Sequence, residues 1–204
     1  ATPAQIGYDP GIRGVPKFPA ATCVSVNDEV IHGIPSRNRV IKEGDIVSVD
    51  TVALKNGFNG DAARTFIVGE TSKENKRLVD VTKQAFFEGI KYAKKGNRIG
   101  DICHAIGEYV HSQGYSVVRE VGGHGIGLEF HETPFVSYVI KKGTGMVMAP
   151  GMVFTIEPMI NAGLPDIYID EGNNWTIYTD DDSYSAQWEI MVHVTEDGYE
   201  VMSY

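Results

Sequence analysis

The chain predicts an α+β fold in which two helices separate an earlier from a later group of strands. Three observations carry that reading. β-Type runs flank an Asn-Gly pair, the strongest short hairpin signal. A stretch with apolar residues at helical spacing follows, punctuated by glycine. Short strand-like runs then resume toward the C-terminus. With 204 residues, 42% of them hydrophobic and 22% charged, the chain can bury a substantial core as one domain or two fused halves.

Before about residue 40 the sequence is rich in Gly and Pro, and residues 22–26 read as an edge strand or loop. Residues 45–54 (DIVSVDTVAL) and 58–68 (FNGDAARTFIV) form a hairpin across Lys55, Asn56 and Gly57. From Ser72 the pattern is helical: Leu78, Val79, Ala85, Phe86, Ile90 and Ala93 make one stripe until Gly96 ends it. A second helix opens with Asp101 as N-cap, carries Ile102, Ala105, Ile106, Tyr109 and Val110 on one face, and closes at Gly114. Strands are expected at 116–121, 152–157, about 167–169, 175–178 and 186–194. The later strands have a helix pair in front of them and the earlier ones have none. An uncovered sheet face exposes apolar surface, so the expectation is that the natural beginning of the chain is missing.

A net charge of −9 argues against a nucleic-acid groove or an anionic membrane as main partner. No run approaches about eighteen apolar residues, and the opening ATPAQIGYDP lacks the basic and apolar regions of a signal peptide, so a cytoplasmic location is expected. Cys23 and Cys103 are far apart, without CxxC pairing, so no disulfide framework is expected and Cys23 reads as a reduced thiol.

Five residues that can bind hard cations stand out: Asp50, Asp61, His124, Glu157 and Glu189. Four carboxylates and one imidazole suit divalent ions sharing bridging oxygens better than a closed thiolate zinc site. With Asn56 and Gly57 as the loop, positions summing to 113 pair, so Asp50 faces Ala63 and Asp61 faces Val52. Asp50 and Asp61 then share a face as diagonal neighbours, with backbones about 7–8 Å apart. Without a cation they would repel and raise each other's pKa; the plain alternative is a pair of solvated aspartates. His124 lies in GGHGIG (122–127), whose glycines allow unusual backbone angles and whose spacing matches neither GxGxxG nor GxxxxGK[ST]. Glu157 ends a strand-like run before Pro158, and Glu189 sits in SAQWEIMVHV; each alone reads as the polar face of a strand. Taken singly, His32 and His193 read as ordinary histidines, and His104 and His111 as surface residues of the second helix.

Together these segments resemble the type I methionine aminopeptidases, which have the pita-bread fold of two pseudo-symmetric halves, each with two helices before its strands, so the resemblance implies that an N-terminal helix pair is missing. The likeness runs from about Gly7 onward through NDEVIHGIP (27–35), GDIVSVD (44–50), NGFNGD (56–61), GGHGIG with FHETP, GMVFTIEPMIN (151–161) and SAQWE (185–189). It implies a single catalytic domain over 1–204, with a first half of about 1–70 and a second of about 71–204, and two divalent ions (Mn, Fe, Co or Zn). Asp50 would chelate one ion, Asp61 and Glu189 would bridge both, and His124 and Glu157 would complete the other site. Glu157 would also act as general base, with His131 on the carbonyl oxygen and His32 on the nitrogen side of the scissile bond. Cys23, Phe130, Trp175 and Tyr8 would line the methionine pocket.

The implied substrates are peptides and nascent chains with N-terminal methionine and a small second residue, met at the ribosome by a monomer that needs neither nucleic acid nor membrane. Two departures stand out: Ile190 and Asn59 occupy positions where many members carry His. The rival readings are an X-Pro dipeptidase of the same fold and a non-catalytic binding module.

Overall fold

The computed structural model describes residues 1–203. In chain order the strands and helices are β1 (Thr2–Pro3), β2 (Cys23–Val26), β3 (Glu29–Ile31), β4 (Ile46–Lys55), β5 (Phe58–Ile67), α1 (Lys73–Ile90), α2 (Ile99–Ser112), β6 (Ser116–Val117), β7 (Gly123–Gly125), β8 (Glu132–Val136), β9 (Val153–Ile156), β10 (Met159–Asn161), β11 (Ile167–Ile169), β12 (Ile177–Thr179), β13 (Ser185–Val194) and β14 (Tyr199–Val201). The main antiparallel sheet runs β1-β4-β5-β13-β9-β7-β8, and β11, β12 and β3 form a second sheet. The α+β expectation holds.

The hairpin has the expected register: Asp50 pairs with Ala63 and Val52 with Asp61. Asn56 and Gly57 take positive φ, 54° and 83°, as a two-residue turn between twisted strands requires. β13 joins the hairpin to the later strands, pairing with β5 on one side and β9 on the other. One continuous sheet therefore carries residues from before and after the helix pair to its centre.

α1 begins as expected, with Ser72 Oγ accepting the Asn75 amide at 3.0 Å. It stops at Ile90, six residues before Gly96, because the Lys-Lys-Gly-Asn segment is pulled into a turn. Gly96 N donates to Met148 O and Asn97 Nδ2 to Tyr92 O. α2 starts at Ile99, so Asp101 is not its N-cap; from the first turn its Oδ2 accepts the Arg98 amide at 2.8 Å, as the acidic member of a capping box does. Gly114, at φ 82°, ends this helix as expected. Leu78, Phe86 and Ile90 of α1 and Ile102, Ile106 and Val110 of α2 are buried in one cluster with Phe154, Ile156, Ile160 and Val192 of the sheet. At the crossing, a Cβ on Gly89 would lie 2.6 Å from the Ile106 side chain, so the close approach needs glycine.

Strand pairing is shorter than expected over 116–121, where only Ser116–Val117 pair; the next residues leave the sheet toward the glycine loop. On the outer face of the first hairpin Phe66 is 55% exposed and Thr51 is also exposed, while α1 and α2 cover the later strands.

Candidate metal centre

Asp50 comes from the middle of β4, Asp61 from β5, His124 from β7 and Glu189 from β13, and Glu157 stands directly after β9. Their strands are neighbours through β5, β13, β9 and β7, and all five side chains line one cavity of about 550 Å³. Ligand atoms of Asp61, His124 and Glu189 lie within 4.8 Å of one another. His124 Nε2 is 3.8 Å from Asp61 Oδ2 and 3.7 Å from Glu157 Oε1.

The imidazole is set up as an acceptor. His124 Nδ1 lies 2.9 Å from the Gly125 carbonyl, which can only accept, so Nδ1 carries the proton and Nε2 presents a lone pair. Burial lowers the His124 pKa and so favours this neutral form. Two carboxylate oxygens facing an unprotonated nitrogen at these distances do not hydrogen-bond to it; they leave room for a shared cation. Asp61 Oδ1 is buried without a hydrogen-bond partner among the described residues. Burial raises Asp50 to about 7, and burial first, then the charge of neighbouring carboxylates, raises Glu157 to about 8 and Asp61 and Glu189 well above their ordinary values. Four carboxylates at such close quarters cannot all ionise without a compensating positive charge. The donor set therefore fits divalent metal ions bound through oxygen and one nitrogen.

The glycines around His124 work by size. None of Gly122, Gly123, Gly125 and Gly127 has a positive φ, contrary to the expected unusual angles. A Cβ on Gly123 would overlap the Thr155 carbonyl oxygen, and one on Gly125 the Thr133 carbonyl oxygen. Bare backbone lets β7 nestle between its neighbours.

The remaining expected residues line the same cavity: Tyr8, Cys23, His32, Phe130, His131 and Trp175. Phe130 stacks on His131 with centroids 4.4 Å apart, and Tyr8 Oη lies 2.8 Å from His131 Nδ1. His32 has φ 57°, a left-handed conformation that costs a non-glycine residue energy and recurs at functional sites. Burial lowers the His32 pKa to about 4, and burial with neighbouring His124 and His32 lowers that of His131 to about 4, so both rings are neutral near pH 7. Outside the cavity, His193 sits beside Glu200, His111 is exposed and His104 is half-buried.

Sequence reasoning missed four supporting residues. Thr155 Oγ1 accepts the His124 amide at 3.0 Å and donates to Glu157 Oε1 at 2.9 Å, tying two candidate ligands together. Gln187 Nε2 lies 3.3 Å from Glu157 Oε2. Each stands two residues before a candidate ligand, so strand alternation alone put them on the same face. Phe18 packs edge-on against Trp175, and Gln5 reaches Asp50; nothing periodic in the first twenty residues points to either.

A model of metallopeptidase family M24 matches residues 7–196. The chain belongs to metallopeptidase family M24. Among the relatives in this family, a methionine aminopeptidase of Clostridium acetobutylicum is 48% identical over 194 residues, 95% of this chain and 77% of that protein. A methionine aminopeptidase of Haemophilus influenzae is 47% identical, covering 91% of this chain and 69% of that one. The crystal structure of a methionine aminopeptidase from Thermotoga maritima superposes with TM-score 0.92 at 45% identity, covering 98% of this chain and 77% of that one. A prolidase from Pyrococcus furiosus shares the fold at TM-score 0.70 and 28% identity, with this chain spanning 48% of its length. The M24 chain thus has the pita-bread fold common to both groups.

Proposed function

We infer that this M24 chain is a metal-dependent aminopeptidase that removes the N-terminal methionine from peptides with a small second residue. The observation that carries the inference is the convergence of Asp50, Asp61, His124, Glu157 and Glu189 on one cavity with an adjoining aromatic pocket. The likeness to methionine aminopeptidases over more than two thirds of their length favours this reading over the prolidase one.

Asp50 on one side, His124 and Glu157 on the other, and Asp61 and Glu189 between them would hold two divalent ions. Bound there, the ions supply Lewis acidity to a water and the scissile carbonyl, and a docking point for the free α-amine. Glu157 receives the proton of the attacking water and passes it to the leaving amine. Thr155 and Gln187 hold one carboxyl oxygen each, which fixes the geometry for that transfer. His131 is neutral; with the Tyr8 phenol donating to Nδ1, its proton sits on Nε2, free to donate to the carbonyl oxygen as charge develops. Neutral His32 faces the nitrogen side of the scissile bond. Tyr8, Phe18, Cys23, Phe130 and Trp175 enclose the methionine side chain, a soft aromatic lining that suits a thioether.

The halves of about 1–70 and 71–204 act as lobes of one catalytic domain, since the five ligands come from both. The natural substrates are nascent chains emerging from the ribosome in the cytoplasm, and the enzyme works as a monomer. Among the described residues no helix is long and apolar enough to cross a membrane. The test is cleavage of Met-Gly-Met against an Ala-Pro peptide by chelator-treated protein reloaded with Mn²⁺. Methionine release that depends on the ion supports the assignment, and preferential Ala-Pro cleavage favours a dipeptidase instead.

A further inference from the structure

Gln5 is a buried amide at the edge of the metal centre, 4% exposed and lining the cavity. Its Nε2 lies 3.2 Å from the Asp50 backbone oxygen, 3.2 Å from Asp50 Oδ1 and 3.5 Å from Cys23 Sγ. The amide orientation is fixed by those partners: turned over, it would set Oε1 against the Asp50 backbone oxygen, which can only accept. Oε1 is left buried with no hydrogen-bond partner among the described residues. An orphaned carbonyl of this kind is destabilising. Alanine at this position would avoid that cost, so something in the placement of Nε2 offsets it.

One donor group grips both the main chain and the side chain of the same residue. Such a clamp restricts rotation of Asp50 about its Cα–Cβ bond and leaves Oδ2 as the oxygen free of it. The clamp is itself anchored. The Gln5 carbonyl accepts the Tyr8 amide at 3.0 Å, Thr22 Oγ1 donates to the same Asp50 carbonyl at 2.5 Å, and Cys23 pairs with Asp50 across the β2–β4 ladder.

We propose that Gln5 is a positioning residue of the metal centre, its amide holding the Asp50 carboxylate in the orientation that binds a divalent ion. The inference rests on the assignment of Asp50 as a ligand. Partners outside the ligand shell that orient a ligand typically change metal affinity by about 10–100-fold. The amide also joins the ion site to the side-chain pocket through its contact with Cys23.

The test is titration of Mn²⁺ into chelator-treated protein by calorimetry, for the native chain, Gln5→Met and Gln5→Ala. Gln5→Met keeps the length and removes the donor; Gln5→Ala removes both. The expected result is Mn²⁺ binding at least about tenfold weaker in both variants, with a changed Mn²⁺ paramagnetic-resonance line shape and no fall in the melting temperature of the metal-free protein. A purely structural Gln5 would lower the melting temperature and leave the affinity of the folded protein alone. Native-like affinity in folded Gln5→Met overturns the proposal while the metal centre stands. Failure of the native chain to bind Mn²⁺ overturns both.

Discussion

Asp61→Asn separates what the candidate centre does for metal from what it does to the fold. In the metal-free protein, Asp61 is 3% exposed, close to three other carboxylates, with Oδ1 lacking a hydrogen-bond partner among the described residues. Asparagine has the same shape, cannot ionise and presents an amide donor group. Glu189 and the His124 Nε2 lone pair stand next to it and can accept. Recovering one buried unsatisfied group is worth about 1–3 kcal/mol. At about 2–4 °C per kcal/mol for a domain of this size, the metal-free variant should melt about 2–12 °C higher than the metal-free native chain. Loaded with metal, the order reverses, because a shared ligand is gone and cleavage of Met-Gly-Met should be lost. The assay is a thermal melt at neutral pH with and without chelator, paired with peptide cleavage. A metal-free Asp61→Asn that melts at or below the native temperature refutes the claim that this carboxylate is destabilising without an ion.

Other outcomes follow from the same geometry. Glu157→Gln keeps the Thr155 contact and cannot take a proton, so turnover should fall by at least about 10²-fold at unchanged fold, checked by steady-state cleavage and circular dichroism; a mild loss would remove it as base. Saturating Mn²⁺ at about 100 times its dissociation constant should stabilise the native chain by about 2.7 kcal/mol, read as a rise of about 5–11 °C in melting temperature that chelator reverses. His32 is depressed to about 4, so the folded chain binds fewer protons there than the unfolded one. That stability is present above the unfolded value near 6.5 and is lost as pH falls from there toward about 4. The His32 ring should show no titration above pH 5 by ¹⁵N NMR, and a pKa near 6.5 would contradict its burial. His32→Asn should lose less stability than His32→Ala, because asparagine tolerates a left-handed φ, while both lose activity.

Much of the fold was legible because it rests on local rules. The Asn56-Gly57 turn sets the register of β4 on β5, and that register alone places Asp50 and Asp61 on one face. The start of α1 and the apolar stripes were likewise local, whereas the end of α1 depends on a carbonyl of Met148 far along the chain and could not be read. β8 and β10 were missed because residues 132–136 and 159–161 are short, and proline interrupts the first. The five ligands were visible only jointly. Glu157 and Glu189 each look like the polar face of a strand, and their burial arises because β9 and β13 lie side by side in the middle of a sheet that nothing local announces. Gln5 was invisible for the same reason: its partner lies 45 residues away.

Diffraction from crystals soaked in Mn²⁺, with anomalous differences measured at the manganese edge, addresses the metal centre most directly. Two peaks about 3.5–4 Å apart, enclosed by Asp50, Asp61, His124, Glu157 and Glu189, are the predicted result. Peaks elsewhere, or none in that cavity at saturating Mn²⁺, would contradict it.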